Sequence, residues 1–269
     1  DLLMARQADG VLTLSGVATY GGDDVAFSVD AESQNGRVAE LRAKVEGLDL
    51  GGLTIRRLAD GSIHDGLETE VGAIFAARRA TPDAPPQLNV TLTATPGLLH
   101  MDDAAQEFSG ANFDLAYDFT KDSVEFMPSR MVFGRTVLPF TGAVVDLNRI
   151  DPAAGAGFAL DFLFSGAIAG ATEAQPLTFD ATVTGVFDPA LSELRADRLL
   201  VTSSQGNMGG SFVIRFKQGL SPEISFGGQV PEMAGSAVKQ LWPFCMARKP
   251  CEWAVANLDG GRVRNGTIS

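Results

Sequence analysis

The residues able to do chemistry are few and scattered. His64 and His100 are the only two histidines in 269 positions. His100-Met101-Asp102-Asp103 sets an imidazole beside two carboxylates, a grouping that could ligate a metal or pass a proton. A histidine beside acids is more often a solvated strand end. Asp23-Asp24 offers paired carboxylates to a calcium ion but lacks the spacing of an EF-hand loop. Cys245 and Cys251 are the only cysteines and stand six positions apart in a stretch holding Pro243 and Pro250. Two thiols without nearby histidine do not make a four-ligand zinc site. They could close a small disulfide loop if their Cα atoms come within about 4.4–6.8 Å, which would require an oxidising compartment. The alternative is two buried free thiols.

No G-x-S-x-G turn, H-E-x-x-H helix, Walker loop or dinucleotide fingerprint occurs. Asn89-Val90-Thr91 and Asn265-Gly266-Thr267 fit a glycosylation acceptor, a match short enough to arise by chance. The sequence therefore assigns no catalytic residue, no metal ligand and no cofactor, and an enzyme would rest on His100 and its acids alone. The formal net charge of -12 disfavours nucleic acid, whose phosphates such a surface repels. It also disfavours broad docking on anionic headgroups.

The elements that carry these residues are strands. Hydrophobic residues make up 45% of the chain, which argues against disorder, and 30 Gly and 13 Pro imply many turns. Alternation of apolar and polar residues dominates. Phe113, Leu115, Tyr117 and Phe119 alternate with Asn112, Asp114 and Asp118. Phe158, Leu160, Phe162 and Phe164 have Asp161 and Ser165 opposite. Phe179, Ala181, Val183, Gly185 and Phe187 alternate with Thr178, Asp180, Thr182 and Thr184. Phe212, Ile214 and Phe216 alternate with Ser211, Arg215 and Lys217, and Val25, Phe27 and Val29 with Asp24, Ser28 and Asp30. This pattern describes an antiparallel sheet with one dry and one wet face.

Turn signals separate the runs: Gly-Gly at 21–22, 51–52, 209–210, 227–228 and 260–261, Asn35-Gly36 as a tight hairpin, Asp60-Gly61, and Gln205-Gly206-Asn207. The spacing predicts a meander of roughly fifteen strands. Met233 to Asn257 is the exception. Ala234, Ala237, Val238 and Leu241 fall at helical spacing, and Trp242-Pro243 stops that helix. A second helix is expected from about Arg248 to Asn257, with Trp253, Val255, Ala256 and Leu258 as its apolar side, ended by Gly260-Gly261. Val71, Ile74, Phe75 and Arg78 also match a helical period, with strand nearly as good. No run reaches the roughly 20 apolar residues of a membrane span; the longest candidate, Gly155 to Ala171, is broken by Asp161 and several glycines.

Val238-Lys239-Gln240-Leu241-Trp242-Pro243, then Ala247-Arg248, then Glu252-Trp253-Ala254-Val255-Ala256-Asn257-Leu258-Asp259-Gly260-Gly261-Arg262-Val263, resemble a signature of the AsmA-like envelope proteins, in the YhdP-type branch of bridge-like lipid transfer proteins. Phe133-Gly134-Arg135-Thr136-Val137-Leu138-Pro139-Phe140-Thr141-Gly142 is similar to an upstream segment of that family. Cys245 and Cys251 depart from its pattern.

The resemblance implies a long antiparallel sheet curled into a groove, with a short helical element near 233–258. It implies a body in the periplasm, anchored to the inner membrane through a segment outside this sequence. It also implies a non-enzymatic role in envelope integrity, with phospholipid passing between inner and outer membranes. Lipid acyl chains are then the expected partners, other envelope proteins further ones, and nucleic acid none. The organisation expected is a β segment over 1–80 continuing from an upstream part, a β-groove segment over 87–232, and a helical Trp-Pro element with the start of a further strand over 233–269. The Phe, Leu, Tyr, Val and Ile residues of the runs beginning at Phe113, Phe158, Phe179 and Phe212 become groove-lining candidates. Trp242 and Trp253 are expected to pack the helical element onto the sheet.

An open apolar face costs about 25 cal/mol for each Å² left in water, so it must be covered or filled. A structural β-sandwich that binds protein partners through its loops does the first; a groove holding acyl chains does the second. Seventeen Phe against two Tyr and two Trp suit a dry lining and an ordinary core alike.

Overall fold

A chain of alternating runs closed by short turns can satisfy its backbone only by pairing each run with its neighbours. The computed structural model does this throughout. It describes residues 2–6, 11–20, 23–34, 37–81, 84–101, 104–152, 155–170, 176–217, 222–242, 248–257 and 260–268. Strand makes up 72% of it. The chain divides into two compact units, Asp1–Ser129 and Arg130–Ser269.

The first unit contains β1 (Leu2–Arg6), β2 (Leu12–Tyr20), β3 (Asp23–Gln34), β4 (Arg37–Asp49), α1 (Gly51–Thr54), β5 (Arg56–Arg57), β6 (Ile63–Glu68), β7 (Glu70–Arg78), β8 (Gln87–Ala94), β9 (Gly97–Met101), β10 (Ala104–Phe108) and β11 (Gly110–Asp118). Strand β12 (Ser123–Phe133) runs across the division. The second unit continues with β13 (Thr136–Asp146), α2 (Leu147–Ile150), β14 (Phe158–Ala169), β15 (Leu177–Asp188), β16 (Glu193–Ser203), β17 (Gly206–Arg215), β18 (Glu223–Ala234), α3 (Gly235–Leu241), α4 (Arg248–Asn257) and β19 (Arg262–Ile268). Fifteen strands form one antiparallel sheet in the order β1-β2-β3-β4-β7-β8-β11-β12-β13-β14-β15-β16-β17-β18-β19. It does not close into a barrel. The remaining four form a small sheet, β10-β9-β6-β5.

The small sheet arises from two excursions out of the meander that pair with each other through β6 and β9. Their exits are tied together: the Thr69 hydroxyl donates to the Thr95 carbonyl at 2.5 Å, and Thr95 N–H to the Glu70 carbonyl at 2.9 Å. The segment with a helical period at Val71, Ile74 and Phe75 is strand β7, paired on both sides. Pairing with β4 and β8 decides a local pattern that was ambiguous by itself.

Carboxylates shape many of the turns. Asp118 accepts N–H bonds from Thr120 (2.8 Å) and Lys121 (3.1 Å), and Asp188 accepts the same pair from Ala190 (2.8 Å) and Leu191 (3.1 Å). Each turn then closes through a left-handed residue, Asp122 or Ser192, both at φ 49. Asp49 caps α1 through the N–H groups of Gly51 (2.7 Å) and Gly52 (3.1 Å). Asp146 caps α2 through that of Asn148 at 2.9 Å. These are local side-chain acceptors that terminate strands. Two-residue connections join β2 to β3 and β3 to β4, with Tyr20 opposite Asp23 and Gln34 opposite Arg37. Asn35-Gly36, expected as a tight hairpin, lies outside the described residues.

Two Gly-Gly pairs expected as turns lie inside strands. Gly209-Gly210 is in β17, and Gly210 faces Gly228 of β18. A Cβ on Gly228 would come 2.8 Å from the Phe226 ring, so the missing side chain is what lets that ring lie across the strand.

Every pairing from β13 to β18 carries a register shift. Pro139 falls in the shift between Val137 and Phe140, and Pro231 lies beside the one opposite Asn207 and Gly209. Proline cannot donate to a ladder and is confined to such irregularities. Each shift bends its strand and tightens its twist.

Candidate functional site

Register turns the alternating runs into rows on one face. In the first unit Leu115 lies opposite Val90, Val90 opposite Phe75, Phe75 opposite Ala43, Ala43 opposite Val29, and Val29 opposite Leu14. A parallel row runs Phe113, Leu92, Ala73, Val45, Phe27. The opposite face is polar: Thr91 donates to Asp114 at 2.8 Å and Thr13 to Asp30 at 2.7 Å. No residue of either apolar row is fully buried, and Phe75, in mid-sheet, is 41% exposed. Tyr117 continues the face. Its hydroxyl donates to Asp122 at 3.1 Å, and its ring stands edge-on to Phe119 at 4.6 Å. Phe119 itself lies past the strand end and is exposed.

In the second unit one row is Phe140, Phe164, Ala181, Val201 and Met208. The next is Phe162, Val183, Leu199 and Gly210. Leu160 follows with Gly185, Ala196, Phe212 and Phe226, and then Phe158 with Phe187, Leu194, Ile214 and Ile224. Phe140 packs on Phe162 and Phe164 with ring centroids 5.9 and 5.5 Å apart. Phe216 extends past the end of β17 and is exposed. All the groove-lining candidates of this unit except Phe216 thus lie on one paired face.

That face changes character along its length. At one end α3 lies over it. Met233, Val230, Ala169, Leu177 and Ala237 form a buried cluster there, with Phe179, Val238 and Leu241 packed against them. At the other end Phe158 is 40% exposed. Between helix and sheet is a cavity of about 230 Å³. Phe164, Phe179 and Val183 line it. Ala181, Leu199, Val201, Met208 and Phe226 line it too, and Val238, Leu241 and Trp242 face it from the helix side. Sequence reading missed Leu199 and Val201 because the bulge between Ala196 and Leu199 breaks the period just before them. Met208, between Asn207 and Gly209, carries no pattern of its own.

Helix α3 begins at Gly235, where a Cβ would come 2.9 Å from the Gly260 carbonyl, and it ends as expected at Trp242, whose backbone is extended. Helix α4 spans Arg248–Asn257, and among its described side chains the buried one is Ala254. Trp253, expected to pack, is 61% exposed.

The polar candidates are dispersed. His100 sits on β9 with its Nε2 3.1 Å from Glu68 Oε2 on β6, a partner its own sequence neighbourhood did not suggest. Asp102 and Asp103 lie outside the described residues, as do Cys245 and the side chain of Cys251. Asp24 accepts from the Thr19 hydroxyl at 3.0 Å. Among the described residues no group of three or more His, Cys, Asp or Glu is placed to hold a metal ion, and no helix is long and apolar enough to cross a membrane. At the β19 edge Arg262 bonds Glu232 at 2.6 Å and, with Arg264, holds that carboxyl below its ordinary value. Comparison of the chain with protein-family models, with curated proteins and with solved structures finds no match to any of them.

Proposed function

We propose that the apolar face of the long sheet is a surface for lipid acyl chains, and that the chain is a non-enzymatic, periplasmic segment of an AsmA-like lipid transfer protein. One observation carries this reading: the apolar rows are continuous in register within each unit yet stay partly open to water. Soluble proteins rarely leave wide apolar faces uncovered without a use for them. A β-sandwich would bury the middle of such a face under a second layer, and Phe75 in that position is 41% exposed.

The mechanism in this reading is solvation. Acyl chains lie against Phe, Val and Leu while the Thr and Asp face stays wet. Rows of similar aliphatic and aromatic residues give a chain nearly equal affinity at successive positions, which is what movement requires. The register shifts from β13 to β18 support a curled sheet. Native mass spectrometry of the full chain after mild extraction tests the reading. Bound phospholipid is expected, and a chain recovered free of lipid from lipid-rich extracts would overturn it.

A further inference from the structure

We infer that the cavity beneath α3 is a seat for the terminal segment of a single alkyl chain, a site that deepens the lipid reading above and rests on it. The floor is the paired row Phe164, Ala181 and Val201; the roof is Val238, Leu241 and Trp242. Among the described residues no charged, hydroxyl or amide side chain lines the space. A buried water needs two to four polar partners, so an apolar occupant is favoured over water.

Size selects the occupant further. An apolar cavity of about 150 Å³ accepts benzene, with its six carbons. By proportion, 230 Å³ takes about nine carbons. That matches the end of one chain, with the rest of the chain lying outside the cavity along the face. The cavity also lies on the same face as the open rows, because Val183 and Leu199, which line it, belong to the row of Phe162. A chain lying along the face therefore reaches its closed end methyl-first, with its headgroup left toward the exposed end near Phe158.

Trp242 supplies the reporter. In the full chain carrying Trp253→Phe it is the only indole. The probes are stearates bearing a nitroxide quencher near the methyl end or near the carboxylate. The methyl-end probe is expected to quench Trp242 severalfold more strongly. Ala181→Leu, which fills the cavity from the floor, and Val238→Phe, which fills it from the roof, should each abolish that difference; whichever variant keeps the parent far-UV circular dichroism serves as the control. Equal quenching by the two probes overturns the inference, as does a difference that survives filling. If phospholipid co-purifies but the probes quench alike, the seat is refuted and the lipid face stands. If no lipid co-purifies and neither probe quenches, both fail.

Discussion

Phe75→Ala separates an open face from a covered one. Phe75 lies in the middle of the row from Leu14 to Leu115 and is 41% exposed. Full burial of a Phe side chain contributes about 1.5–3 kcal/mol, so the buried three-fifths of this one contributes about 1–2 kcal/mol. Water fills the vacated space, so no cavity penalty is added. In a closed core the same truncation would cost about 3–5 kcal/mol. The assay is urea unfolding of the full chain followed by far-UV circular dichroism. Tryptophan emission serves as an internal control, because Trp242 and Trp253 both belong to the second unit. With a slope of about 2 kcal/mol per M, the first-unit midpoint should fall by about 0.5–1 M, and the tryptophan transition should not move. A loss of about 3 kcal/mol or more, the size of a core truncation, would refute the open face. Phe75→Asp extends the test: on an open face the chain still folds and retains less phospholipid, whereas in a covered core it would not fold.

Other perturbations give distinct outcomes. Met233→Ala empties a fully buried position beneath α3 and should cost about 2–5 kcal/mol, read from the tryptophan unfolding transition. Gly185→Val should destabilise the second unit by about 1–3 kcal/mol, seen as a lowered melting temperature, since a Cβ there would overlap the Arg195 carbonyl oxygen. The backbone N–H groups of Thr120 and Lys121 hold the Asp118 carboxyl below its ordinary value. Its contribution to the β11–β12 turn is therefore complete above the unfolded pKa and lost as pH falls through the lower folded one, below about pH 4. An NMR titration should place the Asp118 midpoint below that of an unstructured aspartate, and Thr120→Pro, which removes the first donor, should raise it.

Much of this architecture was legible because a period of two is a strong signal. The runs at Phe113, Phe158, Phe179 and Phe212 each form the strand they announced, and the main sheet is a fifteen-stranded meander of the expected kind, with four further strands in a second sheet that the expectation of roughly fifteen did not include. What escaped were features set by partners distant in sequence. The small sheet exists because β6 meets β9, and neither strand signals the other. Gly209-Gly210 reads as a turn until Gly228 and the Phe226 ring are placed beside it. Leu199 and Val201 were hidden by a bulge, and Ala254, buried among the described side chains of α4, is a small residue beside the more conspicuous Trp253 and Val255. Alternation identified the apolar face but not its covering, because whether a row is closed depends on what the chain folds over it, as α3 does at one end only.

The order of the main sheet bears on how the chain reaches its fold. Within each unit almost every strand pairs with the strand just made. In the main sheet the exceptions, β4 with β7 and β8 with β11, wait only for one short excursion apiece, and in the small sheet β9 meets β6 once β7 and β8 are made. Sheet proteins usually fold slowly because their ladders join distant segments. Here loop closure is brief at each step, and the newest strand is the template for the next. The sheet can assemble hairpin by hairpin as the polypeptide is delivered, with no pairing held back for the last residues. The cost of that economy is a growing edge exposed at every stage, which makes the pace of delivery, rather than the search for distant partners, the step most exposed to aggregation.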